Sequence, residues 1–194
     1  MSVSKKIIET EAVTPLPDFE FNTVIYTGDG TNGKQITGLG FQPDLVWIKP
    51  RSFADNHAIA DSTRGTGKTL VSNTTSAENS LGLASFDSDG FTLANPNWNN
   101  INQSGQNFVS WNWKANGGTT SSNTDGSITS TVQAAEGFSI VKYTGTGSNA
   151  TIGHGLSAAP EMIIIKNRDQ ADAWVVYHSA IGTSQFVSLS SDGA

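Results

Sequence analysis

At 194 residues the chain has room for one large or two small domains, and only 14% of its residues are charged. A net charge of −6 and a pI near 4.9 argue against a broad electrostatic footprint for nucleic acid. The absence of cysteine excludes disulfides and thiolate metal sites, and no apolar run approaches the ~20 residues of a membrane helix. Abundant Gly, Ser, Thr and Asn suit β-structure with many turns, and recurrent Trp, Phe and Ile supply a core.

Residues 1–18 read as an extended N-terminal arm. The stretch Lys5-Lys6-Ile7-Ile8-Glu9-Thr10-Glu11-Ala12-Val13 is amphipathic but short, and Pro15 and Pro17 stop any helix. Ile7, Ile8 and Val13 would dock the arm on a neighbouring subunit; the competing reading is a disordered tail. Lys5 and Lys6 are followed by no long apolar region or cleavage site, so there is no signal-peptide pattern. A cysteine-free chain also fits a cytosolic assembly site.

A first unit spans residues 19–116. Phe21-Asn22-Thr23-Val24-Ile25-Tyr26 is aromatic and β-branched, and a glycine turn at residues 28–33 closes it. Pro43-Asp44 opens Leu45-Val46-Trp47-Ile48, which is apolar on both faces and therefore predicts a central strand. Short strands are expected at residues 57–60, 69–71, 84–86 and 91–93, with a turn at Asp87-Ser88-Asp89-Gly90. Residues 95–106 read as a polar loop. The unit closes with Asn107-Phe108-Val109-Ser110-Trp111-Asn112-Trp113-Lys114, whose Val109, Trp111 and Trp113 share a face and predict a large core contribution. Residues 117–136 read as a Gly/Ser/Thr-rich linker with a bridging strand at residues 127–132.

From residue 137 the chain repeats itself. Phe21 matches Phe138, Tyr26 matches Tyr143, Gly28 matches Gly145, Gly30 matches Gly147, Pro43 matches Pro160, Lys49 matches Lys166, Arg51 matches Arg168 and Ser62 matches Ser179, every pair 117 residues apart. Chance does not hold one register over more than forty residues, so an internal repeat is expected. The second copy, residues 137–194, lacks the later part of the first unit, and the natural chain is expected to continue beyond Ala194. Strands about every ten residues predict an all-β fold, a β-sandwich of jelly-roll or lectin-like form repeated in tandem.

The combination of Tyr26-Thr27-Gly28-Asp29-Gly30, Gly40-Phe41-Gln42-Pro43-Asp44-Leu45-Val46-Trp47-Ile48-Lys49, Ser72-Asn73-Thr74-Thr75, Ser85-Phe86-Asp87-Ser88-Asp89-Gly90-Phe91 and Ser110-Trp111-Asn112-Trp113-Lys114-Ala115 resembles a repeated β-domain family of uncharacterised function. That domain occurs in structural and tail-fibre-like proteins of tailed phages, often marine ones. The resemblance runs from about residue 19 to the end. The resembling domains carry a cysteine between the paired aromatics of the closing strand, where this chain has Asn112. The family has no defined catalytic residues to transfer. The resemblance implies a virion component in a tail or fibre, with other virion proteins as partners and a homo-oligomeric state, a trimer being the usual state of fibres; no heptad region marks one.

Motifs for chemistry are weak. Gly67-Lys68-Thr69 ends like a phosphate-binding loop, but Ser62 stands where its first glycine belongs and no helix is expected to follow. Asp87 and Asp89 could hold a structural cation, yet Pro96 occupies the position of the bidentate glutamate of a calcium loop, so a hairpin turn is the favoured reading. His57, His154 and His178 form no metal motif. Trp98, flanked by Asn97 and Asn99, offers an aromatic face beside amides, as sugar stacking requires; the competing reading is an aromatic folded over its own core.

The expected function is therefore that of a non-enzymatic virion structural protein, without a cofactor, attached through its arm and projecting β-domains for host adhesion. The alternatives are a carbohydrate-binding module that recognises a host surface glycan, a capsid decoration or head fibre, and a polysaccharide-cleaving enzyme, whose paired carboxylates would meet only in space. Neither nucleic acid nor a membrane is expected as a partner.

Overall fold

The computed structural model describes residues 20–94 and 99–190. The proposed arm, with Ile7, Ile8 and Val13, lies outside them.

The described chain is all-β, built from small antiparallel sheets. The strands of the first unit are β1 (Phe21–Thr27), β2 (Gln35–Thr37), β3 (Leu45–Pro50), β4 (Ala58–Asp61), β5 (Leu70–Val71), β6 (Leu83–Asp87), β7 (Gly90–Leu93) and β8 (Asn107–Trp113). A helical turn, α1 (Asn99–Asn102), precedes β8. One sheet has the order β1-β8-β3-β4-β5, and a second has β2-β7-β6. β3 is central, as its two apolar faces predict. The Asp-Ser-Asp-Gly turn joins β6 to β7, with Asp87 opposite Gly90. Gly90 also lies against β2, where a Cβ would overlap the carbonyl oxygen of Ile36.

Between these sheets lies one apolar cluster. Val46, Ile48, Ala58, Ala60 and Phe108 enter it from the five-stranded sheet, and Ile36, Leu83, Phe91 and Leu93 from the other. Ile101 of α1 is fully buried in the same cluster, so part of the expected polar loop belongs to the core. The Tyr26 hydroxyl donates to the Ile101 carbonyl at 2.7 Å, and burial raises its pKa.

The expected facing of β8 needs correction. The residues turned into the core are Phe108, Ser110 and Asn112, all fully buried. Trp111 and Trp113 are half-buried on the opposite face. The core side already holds Phe41, Phe91 and Leu93, and the polar pair is accommodated in part by hydrogen bonds, Asn112 Oδ1 being buried without a partner among the described residues. Asn112 Nδ2 donates to the carbonyls of Asn22 and Ser110 and to Ser110 Oγ.

The remaining strands are β9 (Ser121–Asn123), β10 (Ser130–Ala135), β11 (Phe138–Lys142), β12 (Met162–Ile165), β13 (Val175–His178) and β14 (Val187–Ser188), with a 3₁₀ turn at Ser179–Ile181. They form two three-stranded sheets, β11-β10-β9 and β12-β13-β14. β10 reaches the first unit by side chains rather than by a strand ladder. Gln133 Oε1 accepts from the backbone N–H of Asn116 and Gly118, while Nε2 donates to the hydroxyls of Ser62 and Thr63.

β3-β4-β5 and β12-β13-β14 correspond pair for pair at a separation of 117. Leu45 faces Asp61 as Met162 faces His178, Ile48 faces Ala58 as Ile165 faces Val175, and Ala58 faces Val71 as Val175 faces Ser188. Bonds outside the ladders correspond too. Ser62 N–H donates to the Asp44 carbonyl at 2.9 Å and Ser179 N–H to the Glu161 carbonyl at 2.8 Å. The Ser62 hydroxyl reaches the Asp44 carboxylate, and the Ser179 hydroxyl that of Glu161. Lys49 Nζ bonds the next carbonyl in the chain, as does Lys166.

Candidate functional site

The outward face of the five-stranded sheet follows from strand alternation. Val46 and Ile48 point into the core, so Trp47 and Lys49 point out; Phe108, Ser110 and Asn112 point in, so Trp111 and Trp113 point out. Register sets Trp47 directly opposite Trp111. Their rings meet edge to face, with centroids 6.2 Å apart and an interplanar angle of 69°. Trp113 lies beside Phe21 at 5.0 Å and stacks on Phe138 at 6.3 Å.

Trp47, Trp111 and Trp113, with Lys49 and His57, line an open cleft of about 480 Å³. Its walls are almost wholly aromatic. Lys49 Nζ donates to the Pro50 carbonyl at 2.8 Å. Burial, and secondarily the Lys49 charge, lower the pKa of His57 below 6.5, so the imidazole is neutral at pH 7. Trp47 Nε1 is buried without a hydrogen-bond partner among the described residues. The arrangement can stack a flat apolar surface, and no carboxylate is among its lining residues.

A polar clasp closes one side of this face. Trp174, just before β13, is buried with Ile59 and Leu70, and its Nε1 donates to the Val71 carbonyl at 2.9 Å. Arg168 binds Glu78 through two nitrogens, at 2.9 and 2.8 Å, and Arg64 reaches the same carboxylate at 3.1 Å. Arg64 also pairs with Asp61.

Residues 17–194 match the family model described as "Domain of unknown function (DUF7483)". The chain belongs to the DUF7483 family. No curated protein and no solved structure matches it.

Of the candidate ligand, metal and arm residues of this DUF7483 chain, Asp87 and Asp89 have described side chains. Asn97 and Trp98 lie outside the described residues; Asn99 begins α1, and its side chain is likewise outside them. Asp87 and Asp89 flank the β6–β7 turn with carboxylates already engaged. Asp87 accepts from the Thr92 hydroxyl at 2.7 Å. Asp89 accepts from the N–H of Gly40 at 2.6 Å and of Gly38 at 3.1 Å, and these bonds lower its pKa. Among the described residues no group of three or more His, Cys, Asp or Glu is placed to hold a metal ion. The tryptophan cleft was hidden behind the expectation that its rings were core. The Arg51–Arg168 match did not signal the Glu78 partnership, which joins residues 90 apart.

In the DUF7483 chain, Glu78 gives the clasp a pH dependence. Burial alone would raise its pKa, but hydrogen bonds from Arg168 and Arg64 outweigh that and hold it below 4.5. A lowered carboxylate pKa contributes stability that is present above the unfolded value and lost as pH falls through the folded one. Acidification below about pH 4.5 is therefore expected to loosen the β12-β13-β14 sheet, seen as faster amide exchange in β13. Glu78→Gln should weaken docking at pH 7 and flatten this acid response.

Proposed function

We propose that the chain is a structural and adhesive virion protein, most nearly a tail-fibre or tail-associated component. Its N-terminal arm attaches it to other virion proteins, and tandem β-sandwich units of jelly-roll or lectin-like form project outward in a homo-oligomer. The observation that carries this reading is the pair-for-pair correspondence of β3-β4-β5 with β12-β13-β14. Duplicating a packing unit extends a rod and multiplies contacts without requiring new chemistry, which is what an adhesive fibre needs. The resemblance to tail-fibre-like domains of tailed phages supports the same reading. Antibody-gold labelling of intact particles from the source phage tests it. Label on the tail or its fibres is the expected result, label over the head would make the protein a capsid decoration or head fibre, and absence from virions would overturn the reading.

The tryptophan cleft favours a second reading, recognition of a host surface glycan. Tryptophan faces stack on the apolar faces of sugar rings. Trp111→Ala is then expected to reduce glycan or host-cell binding at least tenfold while leaving the unfolding temperature of the first unit little changed. Equal binding by the wild type and the variant would remove the cleft as the site, and Trp98→Ala in parallel would test the loop tryptophan.

A further inference from the structure

The cleft on the outer face of the five-stranded sheet has a one-sided chemistry. Trp113 is engaged by Phe21 and Phe138, so Trp47 and Trp111 make the aromatic corner, two rings inclined at 69°. Such a corner receives a ring with an apolar face. The polar lining is Lys49 and His57. The Trp47 indole nitrogen is closed to solvent and out of a ligand's reach.

Both polar groups donate. Lys49 carries three N–H donors and no acceptor, and the bond to the Pro50 carbonyl at 2.8 Å uses one of them. The neutral His57 imidazole supplies one more. No carboxylate lines the cleft, and register puts Val109 opposite Lys49, so β8 sets no anion across from the ammonium. Spacing adds a constraint. Lys49 stands two residues beyond Trp47 on the same face of β3, about 6.6 Å along the strand. That is the span from the centre of a pyranose ring, through a carboxylate carried on the ring, to an ammonium bonded to it.

We propose that the cleft binds a carboxylated sugar, a hexuronate residue of an acidic polysaccharide, with its ring against Trp47 and Trp111 and its carboxylate on Lys49. The inference rests on the glycan reading of the cleft given above and adds the class of sugar. A neutral sugar gains the stacking and leaves the ammonium without an anion, whereas a hexuronate adds a charge-assisted hydrogen bond. His57 donates to a ring hydroxyl. The chain's net charge of −6 disfavours polyanions over the rest of the surface, which confines the binding to this place. The second copy does not duplicate the site, because Lys166 matches Lys49 but Ile164 stands where Trp47 does.

The test titrates the 194-residue chain with tetrasaccharides of galacturonate, mannuronate and glucuronate, and with each after reduction of its carboxylates to alcohols. Tryptophan fluorescence and calorimetry report binding. At least one hexuronate is expected to saturate one site per chain, at least tenfold more tightly than its reduced form. Lys49→Gln should bring that hexuronate down to the affinity of the reduced form, whereas Lys49→Arg should keep the preference. Trp111→Ala should weaken both forms at least tenfold. Equal affinity for every hexuronate and its reduced form overturns the proposal and leaves the broader glycan reading standing. Binding that survives both Trp111→Ala and Lys49→Gln lies elsewhere and overturns it too. So does tighter binding of a thymidine dinucleotide than of any hexuronate, which would assign the cleft to a nucleic-acid strand. Binding of none of these sugars also overturns it, and the glycan reading is then decided separately by the effect of Trp111→Ala on host-cell binding.

Discussion

Trp174→Ala is expected to destabilise the chain by about 3–5 kcal/mol, the usual cost of truncating a buried aromatic to alanine. The ring is 4% exposed, packs with Ile59 and Leu70, and anchors Nε1 on the Val71 carbonyl. Leu45, Trp47 and Leu189 pack against the same cluster, so the loss falls where the β12-β13-β14 sheet meets the five-stranded one. The first unit's core, built around Phe91 and Phe108, is separate. Denaturant unfolding should therefore become biphasic, with the β12-β13-β14 sheet exchanging its amides before the five-stranded sheet. Trp174→Phe keeps much of the packing but loses the donor, and should fall between. A single transition at the wild-type midpoint for Trp174→Ala would show that this junction carries little stability.

The second large effect is expected at Asp44. Its carboxylate is fully buried and accepts from Ser62 Oγ at 2.6 Å and from the backbone N–H groups of Ala115, Gly117 and Gly118 at 2.7, 2.9 and 2.7 Å. This nest of donors fixes the chain where it leaves β8. Asp44→Ala strands the backbone donors of Ala115 and Gly117, each costing about 1–3 kcal/mol when left unsatisfied, while Gly118 N–H keeps Gln133 Oε1, so a loss of at least about 2 kcal/mol is expected. Limited proteolysis near residues 115–118 should accelerate in step with the fall in unfolding temperature. Asp44→Asn retains an acceptor oxygen and should lose less. Equal stability of all three proteins would mean that water satisfies the turn.

The sequence was most legible where a single strand's pattern decides its fate. Leu45-Val46-Trp47-Ile48 is apolar on both sides and is central; Asp87-Ser88-Asp89-Gly90 has hairpin chemistry and forms one. Legibility failed where partners distant in sequence decide. β2 is three residues long and exists because Ile36 lies opposite Phe91. The Gly/Ser/Thr-rich stretch reads as a linker by composition, yet its entry turn is clamped by Asp44 and Gln133. On β8, hydrophobicity favoured the tryptophan face for the core, while Phe108, Ser110 and Asn112 are the residues turned inward, with Asn112 Nδ2 bonded to the Asn22 carbonyl. The fixed offset of 117 carried more information than any single motif, since Leu45–Asp61 and Met162–His178 pair in corresponding register. The tryptophan cleft was invisible for the same reason as the face inversion, and the carboxylates of Asp87 and Asp89 are engaged by Thr92 and by the backbone of Gly38 and Gly40.

The placement of β8 between β1 and β3 governs when the molecule can assemble. Among the described residues β1 has β8 as its sole strand neighbour, and even their nearest joining side chains, Thr27 and Asn107, are 80 residues apart. A ribosome adds about 5–20 residues per second, so a nascent β1 waits several seconds for the strand that completes its ladder. During that interval Phe21, Val24, Ile25 and Tyr26 form an adhesive stretch with no native mate. Crowded synthesis of many copies would favour cross-pairing between neighbouring nascent chains. Slow translation after residue 27 should therefore lower soluble yield, and a chaperone that shields the emerging N-terminal strand should restore it.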